Sequence, residues 1–473
     1  MFASTGKRPR RHRALAAGGA ALLLLLGSAC APDRGRADGA LTFWTPHVTP
    51  DRLAQQEATA ARFTDRTGID VDVVAMAAAD QNQALVTGAA SGDVPDVILL
   101  APDQAAAWSG QGLLDTDVAA DVLDALDRAT FSEHALDMVT IGGEPVAVPS
   151  DGWGQVLVYR ADLLERAGVR PPRTVEEVAR AAERLDSEGV AGIVLGTRPG
   201  DPFTTQTLEA LLLAGGCELV DAEGRVALDE PACARALDAY ARMADASVGG
   251  DQDVETTRAA YLSGRSAMLF WGSHIFDELA GLAPDFPATC PECRDDPAFL
   301  AANSGVVTAL RLPGAGASDD PADARQFGLT LNLGVPRGAD TESARRFIEF
   351  LLGDGYTDSL AVSPEGRIPV RSGTAEEPGV FADAWADLPT GEDPEARRPL
   401  SDFYDEATVQ GIVEGAQSFQ RWGYGTEHAR FAGALAAQNT LAREIGPLFD
   451  GADPADVADR MARAARDVRA DVE

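Results

Sequence analysis

The sequence predicts an α/β chain folded as two discontinuous lobes with a cleft between them, on the strength of three stretches. Near the start, strand and helix patterns alternate over residues 40–100, as in a parallel sheet with helices on its faces. At Pro145–Leu164, two Val-rich runs flank Pro149-Ser150-Asp151-Gly152-Trp153-Gly154, which is rich in chain breakers and carries one large aromatic and one carboxylate. A second breaker-rich stretch, Ser363–Pro369, follows much later. Both read as crossings between lobes, and the crevice beside such crossings is where small ligands usually bind.

In order, Ala40–Trp44 reads as a first strand and Asp51–Thr67 as an amphipathic helix stopped by Gly68. Ile69–Val74 alternates like a half-buried strand, about Gln81–Ala90 is helical, and Val94–Leu100 is a buried strand. Ligands gather beyond the carboxyl ends of such strands, here Trp44–His47 and Ala101–Gln104. After the first crossing, Ala161–Gly168 and Thr174–Glu188 are helices, the second opened by Thr174 and Glu177 as a capping box. Ile193–Leu195 is a strand, and Thr204–Ala214, Asp229–Ala246 and Thr256–Gly264 are helices. Ser266–Trp271 is a strand ending at Gly272-Ser273-His274. Leu329–Val335 reads as a return strand and Thr341–Leu352 as a helix; Asp402–Phe419 and Thr426–Val468 are mostly helical.

The chain has 473 residues, 45 % of them apolar, which is ample for packed cores. Its formal charge is −34, and without residues 1–29, which hold five basic residues and no acidic ones, −39. Such a surface repels nucleic acid and anionic membranes, so neither is an expected partner, and a monomer is expected. Lys7–Arg13 are basic, Ala14–Leu26 apolar, and Gly27-Ser28-Ala29 small. These make residues 1–29 a secretory signal, its apolar run too short to span a membrane. Cys30 after them resembles a bacterial lipobox, which implies a lipidated first residue, residues 30–39 as a tether, and anchorage at the outer face of the cell membrane through lipid alone.

Export predicts disulfides. Cys217 and Cys233 enclose a strand, a turn at Glu223-Gly224 and a helix start, so they are the favoured pair. Cys290 and Cys293 form a CxxC that reads as a local structural clip; no second CxxC or histidine cluster supports zinc, and no thioredoxin-like context a redox motif.

LTFW, FTDRTGIDVDV, AASGDVPDVILL, VAVPSDGWGQVLVYRADLLERAG, PPRTVEEVARAAERL and YLSGRSAMLFWGSH are spread over about Leu41 to Arg371. Together they resemble the extracellular solute-binding proteins of bacterial ABC importers, in the carbohydrate-binding, maltose-binding-protein-like group of family 1. The resemblance implies a type II periplasmic-binding-protein-like fold, with residues 40–149 and 304–362 as lobe 1 and residues 150–303 and 363–473 as lobe 2. It implies hinge crossings, closure over a solute and delivery to an ABC permease. Residue by residue, Trp44 with its following turn to His47 matches the first-lobe binding loop, and Ala101–Trp108, with Asp103, the loop after the PDV strand. Asp151 and Trp153 match the crossing that lines the pocket, and Trp271, Ser273 and His274 the loop where an aromatic stacks on sugar, with His274 in that aromatic's place.

The residue types also suit a sugar, whose apolar ring face wants an aromatic and whose hydroxyls want polar partners. Trp44, Trp153, Trp271 and Trp422 all sit among Gly, Ser, Asp or Arg, and the loop Gln417–Gly425, with Trp422 and Tyr424, is aimed at the same cleft. Arg367, in the second crossing, joins the candidates and with Arg198 would suit an anionic solute, so a polyol phosphate, peptide or polyamine is the alternative ligand. A secreted glycoside hydrolase is the third reading, but nothing selects a carboxylate pair. No P-loop, G-x-S-x-G or HExxH is present and the five histidines lack metal-ligand spacing, so no catalytic residue, metal or cofactor is expected.

Overall fold

The computed structural model describes residues 39–314, 320 and 323–472; the expected signal, Cys30 and all of the tether but Gly39 lie outside them. Residues 39–473 form one unit. Its first strands are β1 (Leu41–Thr45), β2 (Val71–Ala75) and β3 (Val97–Leu100), alternating with helices α1 (Pro50–Thr67), α2 (Ala78–Ser91) and α3 (Pro102–Gly110). β1 lies parallel between β2 and β3, as the alternation predicts. Phe43 of β1 and Phe63 of α1 meet Phe347 edge-on at 5.5 and 5.1 Å, which seats α1 on the sheet. Asp96, buried, accepts from Thr42 N (2.8 Å) and Asp340 N (2.9 Å), fixing the entry to β3.

The first crossing is not a loop between two strands, as the breaker residues predict, but one strand, β4 (Val148–Arg160). The backbone of Pro149–Gly154 finds partners on both sides, which outweighs its poor strand propensity. The next strands are β5 (Met268–Gly272), β6 (Ser304–Val307), β7 (Gly328–Gly334) and β8 (Ile368–Pro369). The first half of β4 runs antiparallel to β7, from Val148↔Leu333 to Gly154↔Gly328, and to β8 at Asp151 and Gly152. Its second half runs antiparallel to β5, Gln155↔Gly272 to Tyr159↔Met268, and to β6, Leu157↔Val307 to Arg160↔Ser304. β7 in turn pairs with β3, so β4 belongs to both sheets.

Helix α4 (Val175–Leu185) starts at Thr174, whose hydroxyl accepts from Glu177 N at 3.2 Å; the Glu177 carboxylate takes Arg173 N, completing the first turn one residue earlier than a capping box would. Helices α5 (Pro202–Ala214) and α6 (Pro231–Asp245) follow. Ile193–Leu195 forms only an isolated bridge, Val194↔Leu269, and Thr341–Leu352 is helical as expected. The tail is α7 (Glu406–Ala416), α8 (Ala429–Ala437) and α9 (Pro454–Val472), with two short helices between the last two where a longer one was expected. Both disulfides form as predicted, Cys217–Cys233 and Cys290–Cys293. No described helix is long and apolar enough to cross a membrane.

The region where β4 passes between sheets is crowded. Gly152, Gly154 and Gly328 leave a slot filled by the Phe419 ring; a Cβ would stand 2.6 Å from that ring at Gly152 and 2.8 Å at Gly154, and closer still at Gly328. Beside it, Asp151 is fully buried and accepts from Arg367 Nη2 at 2.6 Å and from Ser150 Oγ at 2.7 Å. Replacing Asp151 with Ala leaves a buried guanidinium without its anion and lowers stability by about 3–5 kcal/mol, whereas replacing the pair by Leu and Met restores most of the loss. Urea denaturation of the two variants measures both.

Candidate functional site

Four segments converge at the ends of β1 and β3 and along the middle of β4. The first is the turn after β1. Trp44, half-buried, stands near its end, and the Nε2 of half-buried His47 is buried without a hydrogen-bond partner. Burial, then the charges of Arg367 and Arg52, then His274 hold His47 well below the usual imidazole range, so it is neutral.

The second segment is β4 with the end of β5. Trp153, half-buried, meets His274 edge-on at 5.1 Å and Phe327 at 6.5 Å. Two glycines make room for the imidazole: a Cβ at Gly272 would lie 3.2 Å from its Nδ1 and 3.3 Å from the indole, and one at Gly366 would lie 2.5 Å from its Cδ2. Burial lowers His274 to about 4, against the pull of Glu365, and Arg52 adds to the lowering. Burial, then Glu365 and Glu278, push Asp277 upward. Glu365 itself accepts from Ser363 and Thr390 and faces Arg52 at 3.5 Å.

The third and fourth segments are the start of α3 and the tail loop before α8. Arg421 is buried and holds Glu209 of α5 with two hydrogen bonds, 2.7 and 3.0 Å, a fork on a carboxylate. Its guanidinium lies 4.7 Å from the Phe327 ring and 5.1 Å from the Tyr424 ring. The Tyr424 hydroxyl is buried without a partner, and burial raises its pKa. Burial raises Asp103, against the pull of Arg421 and of the amides of its own helix turn. Above them α3 lies on α8: a Cβ at Gly433 would be 3.2 Å from Ala106 Cβ, 3.5 Å from Tyr424 Oη and 3.7 Å from Asp103 Cα.

Of the residues expected to bind ligand, His47, Trp153, His274, Asp103 and Tyr424 therefore share one neighbourhood, with Trp44 at its edge. The others are turned inward. Asp151 and Arg367 are bound to each other in the crossing. Trp271 is buried, its Nε1 donating to Val254 O at 3.3 Å with the Phe203 ring 6.4 Å away. Trp422 is buried with its Nε1 donating to Cys217 O at 3.0 Å. Ser273, also buried, donates through its hydroxyl to Glu365 O at 3.0 Å and through its amide to Gly154 O at 2.9 Å. Arg198 pairs with Asp253.

Sequence reasoning missed Arg421, Phe327, Arg52, Glu365, Gln155 and Gln326. Arg421 stood within the tail loop that was aimed at the cleft, and a lone Arg beside Trp was the available signal. Gln155 is buried with neither amide atom hydrogen-bonded, and Gln326, whose Nε2 donates to Gln155 O at 3.3 Å, leaves its Oε1 without a partner. Among the described residues no group of three or more His, Cys, Asp or Glu could hold a metal ion.

A family model of bacterial extracellular solute-binding proteins matches residues 58–390, and the chain belongs to that family. It is 24 % identical over 347 residues to the putative ABC transporter periplasmic-binding protein YcjN of Escherichia coli K12, which covers 72 % of this chain and 74 % of that protein. Maltose-bound MalE3 of T. maritima has TM-score 0.63 at 19 % identity, over 90 % of this chain and 99 % of that one. The GacH receptor of Streptomyces glaucescens, solved unliganded and with acarbose, has TM-score 0.64 at 20 % identity, over 92 % and 99 %. The fold is thus the two-lobed periplasmic-binding-protein type.

The His274 shift sets a pH dependence. Its folded value, about 4, lies below the ordinary 6.5, so between these the unfolded chain binds a proton that the folded one refuses. Stability attributable to His274 is intact above pH 6.5 and falls as pH drops toward 4. Thermal unfolding of His274→Gln across this window is expected to show a smaller acid loss than the parent chain; equal losses would remove His274 as the cause.

Proposed function

We propose that the chain captures a sugar or oligosaccharide between its lobes and delivers it unaltered to an ABC permease. The observation that carries this is the set of buried polar atoms without partners in the neighbourhood of Trp153: His47 Nε2, both amide atoms of Gln155 and Tyr424 Oη. Orphaned buried donors and acceptors are costly, and a ligand rich in hydroxyls can satisfy both kinds while its ring face covers an indole.

Charge argues for a neutral solute over an anionic one such as a polyol phosphate. The arginines near the site are matched by carboxylates: Arg421 by Glu209, Arg367 by Asp151, Arg52 by Glu365. An anionic ligand would have to break one of these pairs, leaving a buried carboxylate exposed to its own desolvation cost. The saccharide complexes of the two solved relatives accord with this reading.

Cavities beside these elements hold about 20 Å³ each, one next to the Glu209–Arg421 pair and one next to Arg367, room for a single water. α3 lies against α8, a Cβ at Gly433 reaching within 3.2 Å of Ala106 Cβ, so in this proposal a ligand enters as the two part, and a solute that bridges them favours the shut form. β4 pairs with β7 and β8 as far as Gly154 and with β5 and β6 from Gln155 on, so in this proposal the lobes exchange near residues 154–155 and, because Ser304–Val307 pairs with the second half of β4, after residue 307. Export, lipidation at Cys30 and anchorage at the outer membrane face complete the proposal, with energy for transport supplied by a separate ATPase.

Replacing Trp153 with Ala is expected to weaken saccharide binding roughly tenfold or more through loss of the stacking face. Trp271→Ala acts differently: it empties a packed site, costing about 3–5 kcal/mol of stability, and leaves the affinity of the folded fraction unchanged. Calorimetric titration against a saccharide panel, with denaturant unfolding of both variants, separates the two. Saccharide affinity unchanged in Trp153→Ala, or turnover of a glycoside, would sink the reading.

A further inference from the structure

A second feature lies away from the cleft, where a groove of about 1130 Å³ runs between β6 and the start of α4. Its floor includes Val306, Val307, Thr308 and Ala309 in unbroken succession. Val306 and Val307 are consecutive residues of β6, whose side chains alternate faces, and Thr308 and Ala309 continue the chain past its end, so the groove runs along the end of the strand and its continuation. Among the described residues β6 pairs only with β4, and its other edge has no strand beside it. Such an edge is a template for one more strand.

The rim has an unusual charge for this chain. Arg170, Arg180 and Arg184, all exposed, border the groove, and Arg173 and Arg311, which carry interactions of their own, extend the basic lining. Arg180 reaches Glu176 only loosely, at 3.8 Å, and Glu177 is the sole carboxylate in the lining. Five arginines against one acid stand out on a chain whose formal charge is −34. Positive charge concentrated on one surface of an acidic protein steers an anionic partner there and away from the rest.

We propose that this groove is a docking site for an extended acidic peptide segment of a partner protein, which adds as a strand to the free edge of β6 while its carboxylates meet the arginine rim. The proposal is independent of the solute in the cleft. The test uses the full chain and a labelled short peptide alternating Glu and Val, followed by fluorescence anisotropy at low and high salt. Binding that weakens with salt is expected, together with loss of binding when the same peptide is N-methylated at alternate residues, which keeps its charge but removes strand pairing. Arg170→Gln combined with Arg184→Gln is expected to weaken peptide binding roughly tenfold while saccharide affinity holds. No binding of the peptide, equal binding of its N-methylated form, or equal binding of polyphosphate or anionic vesicles with the same arginine dependence would each overturn the proposal, the last showing a general polyanion surface.

Discussion

Everything in this molecule hangs on one strand that belongs to two sheets. β4 gives its first half to β7 and β8 and its second half to β5 and β6. A strand shared in this way needs partners for its backbone throughout, and needs them without side chains that collide. Three glycines supply the second condition by admitting the Phe419 ring, and the Asp151–Arg367 pair joins β4 to the second crossing. A buried ion pair is a weak source of stability but a demanding geometric constraint, since each charge is tolerated only while the other stays in place. The register shift between Leu331 and Asn332 falls opposite the same stretch, where β4 carries the extra residue Ser150. Bulges bend and twist a strand locally. On the proposed mechanism, relative motion of the lobes concentrates further on, between Gly154, which still pairs with β7, and Gln155, where pairing with β5 begins.

The same crowding shapes the candidate site. Gly272 and Gly366 bring His274 against Trp153, and burial keeps that imidazole and His47 neutral although Arg52 and Arg367 stand near. Neutral imidazoles offer one donor and one acceptor each, so they can serve a hydroxyl in either sense. The arginines Arg421, Arg367 and Arg52, by contrast, each face a carboxylate. On the proposed reading, such a site discriminates by hydrogen-bond geometry more than by electrostatics.

Much of the fold was legible because periodicity reports burial. The βαβ start, the helix at Thr341–Leu352 and both disulfides follow from local pattern. The failures have tertiary causes. Pro149–Gly154 carries loop residues, yet neighbours distant in sequence complete its ladder and turn it into strand. Trp271 and Trp422 look like ligand-facing aromatics from their polar neighbours, but each donates its N–H to a carbonyl inside the fold. Asp151 and Arg367 each suit a ligand when taken alone, and only the fold reveals that they pair with one another across more than two hundred residues. A sequence lists chemical capacity; which partner uses it up is decided by packing.

The two proposed recognition surfaces would obey opposite electrostatic rules, and the contrast bears on how they would work together. At the candidate site, buried arginines are paired with buried carboxylates, so salt has little there to screen. In the groove, arginines at the surface outnumber the one acid, and attraction to an acidic strand would weaken as salt rises. The groove is floored by β6, which is hydrogen-bonded to the half of β4 that continues from Trp153 through Gln155. A partner strand added to β6 would extend the second sheet without touching the first. Its effect on the cleft, if any, must pass through the shared strand, and only to the extent that it binds the open and shut forms with different affinity.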